Sequence, residues 1–278
     1  MAMLQQMWNP HFTALSPIFE PCLRFKEWIE KLSKWPTHAD LNRLILLNNS
    51  DSKTYSGQTI HFVSAIAPQR ISRNNVVTSY ESKIYTTGGI PTRLHNWHDF
   101  FNALVWQLFP AAKAALNFLH FNDLQTEFVQ NNQRRSPLRD AATIFDESGI
   151  IVVSSNTRLI NLLQAFRWEE LFWQERANVL SAMRFYVFGH GLYEKALNPY
   201  VGMTGKGICF EVPDGFFDQT LPKQLMEIDR LLEQRLLDGF SSNADLTPVP
   251  LLGYPGWDKN NNDLAYYQNK NYFRMRST

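Results

Sequence analysis

The segment from Trp97 to Phe121 constrains the fold most, because apolar side chains cover so much of it that it must be buried. Pro110 divides the segment, since proline ends one helix and suits the first turn of the next. We therefore predict two consecutive helices, Trp97 to Phe109 and Pro110 to about Phe121. A chain of 278 residues is long enough to build a core around them.

Polar side chains interrupt the apolar face of the first predicted helix. With about 100° of rotation per residue, His98 and Asn102 fall inside the arc of the apolar positions. A buried polar group without a partner costs about 1–3 kcal/mol, so each side chain needs a hydrogen bond or a ligand. A structural hydrogen-bonded pair and a binding or catalytic pair both fit this pattern.

The second predicted helix carries a similar polar stripe. Lys113, Asn117 and His120 lie at positions i, i+4 and i+7, on one side of the helix. A solvated helix face explains the stripe without any function. The alternative places Lys113 and His120 in the same polar pocket as His98, where Lys113 would bind substrate.

A second histidine follows a predicted strand at 184–188. The chain then passes through Gly189 into a predicted short helix, which places His190 near the helix start. His190 and Glu194 lie one turn apart on one face, a usable spacing for a metal ion or for an acid–base pair. A simple hydrogen bond between the two side chains explains the same spacing.

Residues 141–154 predict a β-hairpin. Two β-rich runs, 141–145 and 150–154, flank a four-residue loop that ends in Gly149. Turn chemistry alone explains Asp146 and Glu147 in that loop. We therefore assign these two carboxylates no function at this point.

Arg139 and Asp140 precede the predicted hairpin, where turn chemistry does not explain them. Arg134 and Arg135 lie nearby and add positive charge. Such a cluster can bind a carboxylate or a phosphate group, and a solvated loop is the alternative.

The other predicted elements mix helices with short strands, and no change of composition marks a domain boundary. We predict a single, helix-rich α+β domain at residues 56–278, with a small mixed or antiparallel sheet that includes the hairpin. Residues 1–55 form a helical extension packed on it. Further strands are predicted at 58–66, 82–86 and 206–212, and further helices at 22–34, 39–47, 156–166, 169–180 and 221–237.

Charge and motifs exclude several classes of protein. The net charge is +1, so nothing points to a nucleic-acid partner. No apolar run is long enough to cross a membrane, and the first residues lack the pattern of a secretory signal, so we predict a cytoplasmic protein. Phosphate-binding loops and the common hydrolase motifs do not occur. Cys22 and Cys209 lack the spacing of a zinc or disulfide site.

Four strings, 89–106, 139–149, 188–195 and 248–257, resemble a bacterial family of uncharacterised proteins, the domain-of-unknown-function family three-thousand-and-twenty-five. The resemblance extends from about residue 60 to 275. It implies one domain that includes the Pro- and Trp-rich tail, and it implies no activity.

Two functions fit these observations. The first is an enzyme with His98, Asp140, His190 and Glu194 as catalytic residues. It would use a divalent metal ion on His98, His190 and Glu194, or acid–base chemistry alone. Hydrolysis of a small anionic substrate is the expected reaction. The second function is a non-catalytic binding or protein-interaction module that uses the many aromatic side chains. The residues expected to bind substrate in the enzyme are Arg93, Asn102, Lys113 and Arg139.

Overall fold

The computed structural model describes residues 7–47, 52–65, 79–129 and 135–275. The helices are α1 (Lys26–Glu30), α2 (His38–Leu47), α3 (Tyr80–Thr87), α4 (Trp97–Leu108), α5 (Pro110–Val129), α6 (Pro137–Ser148), α7 (Thr157–Gln164), α8 (Arg176–Ala182), α9 (His190–Ala196), α10 (Leu221–Leu237) and α11 (Leu264–Tyr267). The strands are β1 (His61–Ser64), β2 (Gly89–Thr92), β3 (Gly149–Ser154), β4 (Met183–Val187), β5 (Thr204–Glu211) and β6 (Thr247–Pro250).

The main sheet has the strand order β4-β3-β5-β6. Strand β3 pairs antiparallel with β4 and parallel with β5, and all of its residues are buried. Strands β1 and β2 form a separate parallel pair. Helices thus surround a small mixed sheet, which confirms the predicted α+β class.

The predicted hairpin at 141–154 is wrong in its first half. Residues 141–148 belong to α6, and β3 pairs with β4 and β5 instead of with a strand before it. The helix begins at Ser136, whose hydroxyl accepts a hydrogen bond from the backbone of Arg139, and Pro137 suits the first turn. The buried Ala141 and Phe145 lie one turn apart, so the apolar pattern is helical.

The strand predicted at 82–86 is also wrong. Ser79 caps α3 at its start, and Gly88 ends the helix in a left-handed conformation with φ of 73°. The strand predicted at 58–66 is observed as the shorter β1, and residue 66 lies outside the described part of the chain.

Helices α4 and α5 begin where the sequence predicts and break at Pro110. The carboxylate of Asp229, from α10, caps the start of α5. It accepts hydrogen bonds from the backbone amides of Ala111 at 3.0 Å and Ala112 at 2.9 Å. Helix α10 therefore fixes the helix that carries Lys113 and His120.

Residues 7–47 pack against an aromatic face of α4. The ring of Trp8 stacks on Trp97, with 5.1 Å between centroids, and Phe12 meets Phe101 edge to face at 5.3 Å. The indole of Trp8 also donates a hydrogen bond to the carbonyl of Leu32 at 2.9 Å, which links two distant parts of this segment. These contacts hold α4 along a face that adjoins the one with His98 and Asn102.

The tail, which is the segment that follows β6, packs over the domain through the buried side chain of Asn261. Asn261 donates to the carbonyls of Leu252 at 2.9 Å and Tyr254 at 2.7 Å. Arg176 of α8 reaches the carbonyl of Asn261 at 2.9 Å. The tail is thereby fixed to the body of the domain.

Candidate metal centre

Three helix ends meet at one point of the molecule. His98 lies in the first turn of α4, Glu147 in the last turn of α6, and His190 is the first residue of α9. Asn96 starts α4, because its side chain accepts a hydrogen bond from the backbone of Asp99 at 2.9 Å. Each of the three side chains is therefore placed by a helix terminus.

Glycines allow α9 to approach the end of α6. A Cβ atom at Gly189 would lie 2.5 Å from the backbone nitrogens of Ser148 and Gly149. A Cβ atom at Gly191 would lie 2.7 Å from Oε2 of Glu147. Any larger residue would force the helix ends apart, so these two glycines permit His190 to reach Glu147.

The three side chains present one atom each to a small triangle. Nε2 of His98 lies 3.0 Å from Nε2 of His190. Oε1 of Glu147 lies 3.6 Å from Nε2 of His98 and 3.5 Å from Nε2 of His190. In the described part of the chain, the ligand atoms of His98, Glu147 and His190 lie close enough together to bind one ion.

The triangle has the dimensions of a metal site. Zinc binds histidine nitrogen at roughly 2.0–2.1 Å and carboxylate oxygen at roughly 2.0–2.2 Å. The point equidistant from the three atoms lies within the triangle, about 2.0 Å from each of them. An ion about 2.1 Å from each atom would therefore lie just above the plane of the triangle. The angles between its ligands would be roughly 90–120°. Two histidines and one glutamate therefore fit an ion with an open coordination position.

A carboxylate faces the remaining nitrogen of each imidazole. Nδ1 of His98 lies 3.1 Å from Oε2 of Glu194, and Nδ1 of His190 lies 3.8 Å from Oδ2 of Asp146. Carboxylates in this position fix the tautomer of metal-binding histidines. The sequence predicted Glu194 as a metal ligand, but the structure places it behind His98, and Glu147 completes the triangle instead.

Charge interactions favour the ionised forms of His98 and Glu147 through their pKa values. The nearby carboxylate of Glu147, and after it Glu194, raises the pKa of His98 more than burial lowers it. Interactions with His190 and His98 hold the pKa of Glu147 far below its usual range. Glu147 is therefore an anion at neutral pH, as a metal ligand must be.

The triangle opens into a cleft of about 440 Å³. Most of the residues that line it are polar or charged. The polar side chains beyond the triangle include Tyr80, Glu81, Arg93, His120, Thr143 and Asp146.

Arg93 lies at the cleft and is paired with Asp99. The carboxylate of Asp99 accepts hydrogen bonds from Nε of Arg93 at 3.0 Å and from Nη2 at 2.7 Å. The Arg93 side chain is still half exposed, so an anion that approached it would share the guanidinium with Asp99.

Lys113 lies behind the cleft, whereas Asn102 is a buried residue of its lining. Nζ of Lys113 donates to Oδ1 of Asn102 at 2.9 Å and to Oδ1 of Asp146 at 2.5 Å. Nδ2 of Asn102 donates to the hydroxyl of Tyr80 at 3.2 Å. Lys113 and Asn102, two of the residues predicted to bind substrate, are thus hydrogen-bonded to other side chains of the protein.

Arg139 and Asp140 lie outside the cleft, contrary to the shared pocket that the sequence suggested. Arg139 pairs with Glu127, and Asp140 is exposed and pairs with Arg135 at 2.9 Å. Their predicted partner Arg134 lies outside the described residues. Both residues are in the first turn of α6, whereas the carboxylates at the centre are in its last turn, about 10 Å further along the axis.

Sequence reasoning missed Glu147 and Asp146, because the hairpin prediction explained both as turn residues. A helical pattern over 137–148 is the signal that could have found them. It places both carboxylates at the helix end that leads into the buried strand β3.

Fold and site together define an α+β protein with a candidate metal centre at the meeting point of three helix ends. A family model described as "Protein of unknown function (DUF3025)" matches residues 60–277, and the chain belongs to that family. This confirms the family resemblance of the four strings. No curated protein and no solved structure matches the chain.

No helix in the described ranges combines the length and apolar character needed to cross a bilayer. The cytoplasmic location stays a prediction.

Proposed function

We propose that this protein is a divalent-metal-dependent hydrolase that acts on a small molecule. The observation that carries the proposal is the triangle of His98, Glu147 and His190 at an open cleft. Three protein ligands with one open position are typical of catalytic metal sites, whereas structural zinc sites use four. Asp140, which is remote from the centre, has no part in this function.

An ion at the triangle supplies the chemistry that hydrolysis needs. A divalent ion acts as a Lewis acid and lowers the pKa of a bound water to about 7. Hydrolysis adds the oxygen of water to an electrophilic carbon or phosphorus, breaks the bond to the leaving group, and passes a proton to that group. His120 and Glu81 line the same cleft and are the candidates to move this proton.

The prediction of an anionic substrate now depends on Arg93. Of the four residues expected to bind substrate, Arg93 retains an exposed cationic group at the cleft, and it is already shared with Asp99. We propose that Arg93 meets an anionic group of the substrate at the rim. Replacement of Arg93 by Met is expected to raise KM and leave kcat almost unchanged.

Acid–base catalysis without a metal is the second candidate. A hydrogen bond of 3.0 Å between Nε2 of His98 and Nε2 of His190 requires one ring to donate and the other to accept. The raised pKa of His98, caused first by Glu147, favours that ring as the donor. Such a pair could hold and transfer a proton by itself.

Metal analysis of protein purified without chelator distinguishes the candidates. We expect about one equivalent of a transition metal per chain in the wild type, and almost none in His190→Ala and Glu147→Gln. His61→Ala is the matched control, because His61 is exposed and outside the cleft, and it should keep the metal. The loaded protein should hydrolyse at least one member of a chromogenic panel of esters, amides and phosphoesters.

A metal-free wild type whose melting temperature does not respond to added zinc, manganese or cobalt would overturn the metal proposal. Hydrolysis by that metal-free protein, lost in His98→Ala, would establish the acid–base candidate. Metal binding without hydrolysis of any panel member would favour the binding module predicted as the alternative.

A further inference from the structure

We infer that Lys113 and Asp146 form a positioning pair that sets the proton of His190 for metal binding, and that Lys113 does not bind substrate. This inference rests on the proposed metal site. It assigns to both residues a role that acts through His190 and not through contact with the substrate.

The ammonium group of Lys113 is fully engaged. The residue is 4% exposed, and its Nζ contacts Asp146 and Asn102 and lies 5.3 Å from the centre of the Trp106 ring. Two acceptors and one aromatic face account for the three N–H groups of the ammonium ion. A substrate would have to displace a buried pair to reach this charge, which is costly.

Lys113 binds only one oxygen of Asp146. The other oxygen, Oδ2, faces Nδ1 of His190 at 3.8 Å. That distance is too long for a hydrogen bond, and Nδ1 of His190 is buried without any hydrogen-bond partner. Asp146 is therefore the group to which a proton on Nδ1 can be donated after a small movement.

The first imidazole shows the completed form of the same arrangement. Nδ1 of His98 already lies 3.1 Å from Glu194, while its Nε2 points into the triangle. If His190 carries its proton on Nδ1 in the same way, both Nε2 lone pairs face the ion. Lys113 contributes by holding Asp146 in place.

A buried ion pair that only stabilises the fold is the competing explanation. Affinity for zinc and the tautomer of His190 separate the two, because a purely structural pair would change neither. Removal of one charge alone would leave the other buried and unpaired, and such a protein could fail to fold.

The test therefore uses the double variant Lys113→Met with Asp146→Leu, which removes both charges together. Its matched control is Arg93→Met with Asp99→Leu, which removes a second cation–carboxylate pair at the cleft, one whose hydrogen bonds join Arg93 to Asp99. Zinc affinity is measured by competition with a chromophoric chelator. The protonated nitrogen of His190 is read from ¹⁵N NMR of the zinc-loaded protein.

We expect zinc affinity to fall about 10- to 100-fold in the Lys113/Asp146 variant and to stay within about twofold in the control. We also expect the wild type to show the Nδ1–H tautomer at His190. Equal zinc affinity in wild type and variant would overturn the positioning role and leave the metal site intact. A wild type that binds no zinc would overturn the metal site and the inference together.

Discussion

Helix α4 has two faces that are buried in different ways. On one face, Trp97 and Phe101 pack against the rings of residues 7–47. On the other, His98 and Asn102 face polar groups from α5, α6 and α9. The aromatic face has many weak contacts that support each other, whereas the polar face concentrates ionised groups whose burial opposes folding.

This difference indicates which face maintains the fold and which one serves a ligand. Aromatic packing gains free energy from buried area at every contact. Clustered histidines and carboxylates gain little from one another after desolvation, and an ion would compensate them directly. Two measurements test whether the two faces differ in this way, and a third tests the helix that packs beside the polar face.

The largest expected effect is on the aromatic face. Phe12 is fully buried and meets four other rings. Phe12→Ala should reduce the free energy of unfolding by about 3–5 kcal/mol, measured by urea denaturation, because it leaves a cavity. Leu15→Ala is the control, since Leu15 is 51% exposed and should change stability by less than about 0.5 kcal/mol. A fall below about 1 kcal/mol in Phe12→Ala would contradict the structural role of this face.

The second prediction concerns the polar face. His98→Ala should weaken zinc binding by on the order of 100-fold or more, because one of three ligands is lost. The metal-free variant should unfold within about 1 kcal/mol of the metal-free wild type. His38→Ala provides the contrast, since His38 bonds the carbonyl of Thr92 at 2.8 Å and its loss should affect stability but not zinc affinity. If His98→Ala lost as much free energy of unfolding as Phe12→Ala, the polar face would be shown to maintain the fold.

The third prediction concerns the pH dependence of stability and Asp229, which caps the helix that carries Lys113. Burial raises the pKa of Asp229 to about 7, despite the opposing hydrogen bonds from Ala112 and Ala111. Between the ordinary pKa of 3.8 and about 7, Asp229 of the folded protein holds a proton that the unfolded chain has released. This contribution to stability is complete below pH 3.8 and is lost as the pH rises through 7.

Asp229→Asn should therefore flatten the decline of the melting temperature between about pH 4 and pH 7, compared with the wild type. Asp245→Asn is the control of opposite sign. The backbone amides of Ser241 and Ser242, acting against burial, lower the pKa of Asp245, so its contribution is present above the unfolded pKa and lost in acid. An unchanged profile in Asp229→Asn would show that this carboxylate is ionised in the folded state throughout the range.

Much of the fold could be predicted because it follows from local chemistry. Pro110 separates α4 from α5, and the predicted helix from Leu221 to Leu237 has the bounds of α10. The enzyme hypothesis places His98 and His190 in one pocket, because His98 interrupts the apolar face of a helix and His190 lies near a helix start. The polar positions of α4 thus indicate where the structure gathers His98, Glu147 and His190.

The rest of the site could not be predicted, because it depends on contacts between distant segments. Short apolar runs are typical of strands as well as of buried helices. The sequence of α6 therefore predicts half of a hairpin, with Glu147 as a turn residue. Periodicity also does not reveal that Lys113 is neutralised by Asp146, 33 positions further along the chain. Asp140 looked suitable by residue type, but its place at the far end of α6 removes it from the centre.

The meeting of three helix ends has a thermodynamic consequence. His98 and His190 are 92 positions apart, so an ion held between them would cross-link remote parts of the chain. Because such an ion binds the folded protein far better than the unfolded chain, each tenfold rise in its free concentration above Kd would add about 1.4 kcal/mol to the stability. The stability of the protein would then rise with the logarithm of the free metal concentration in its surroundings.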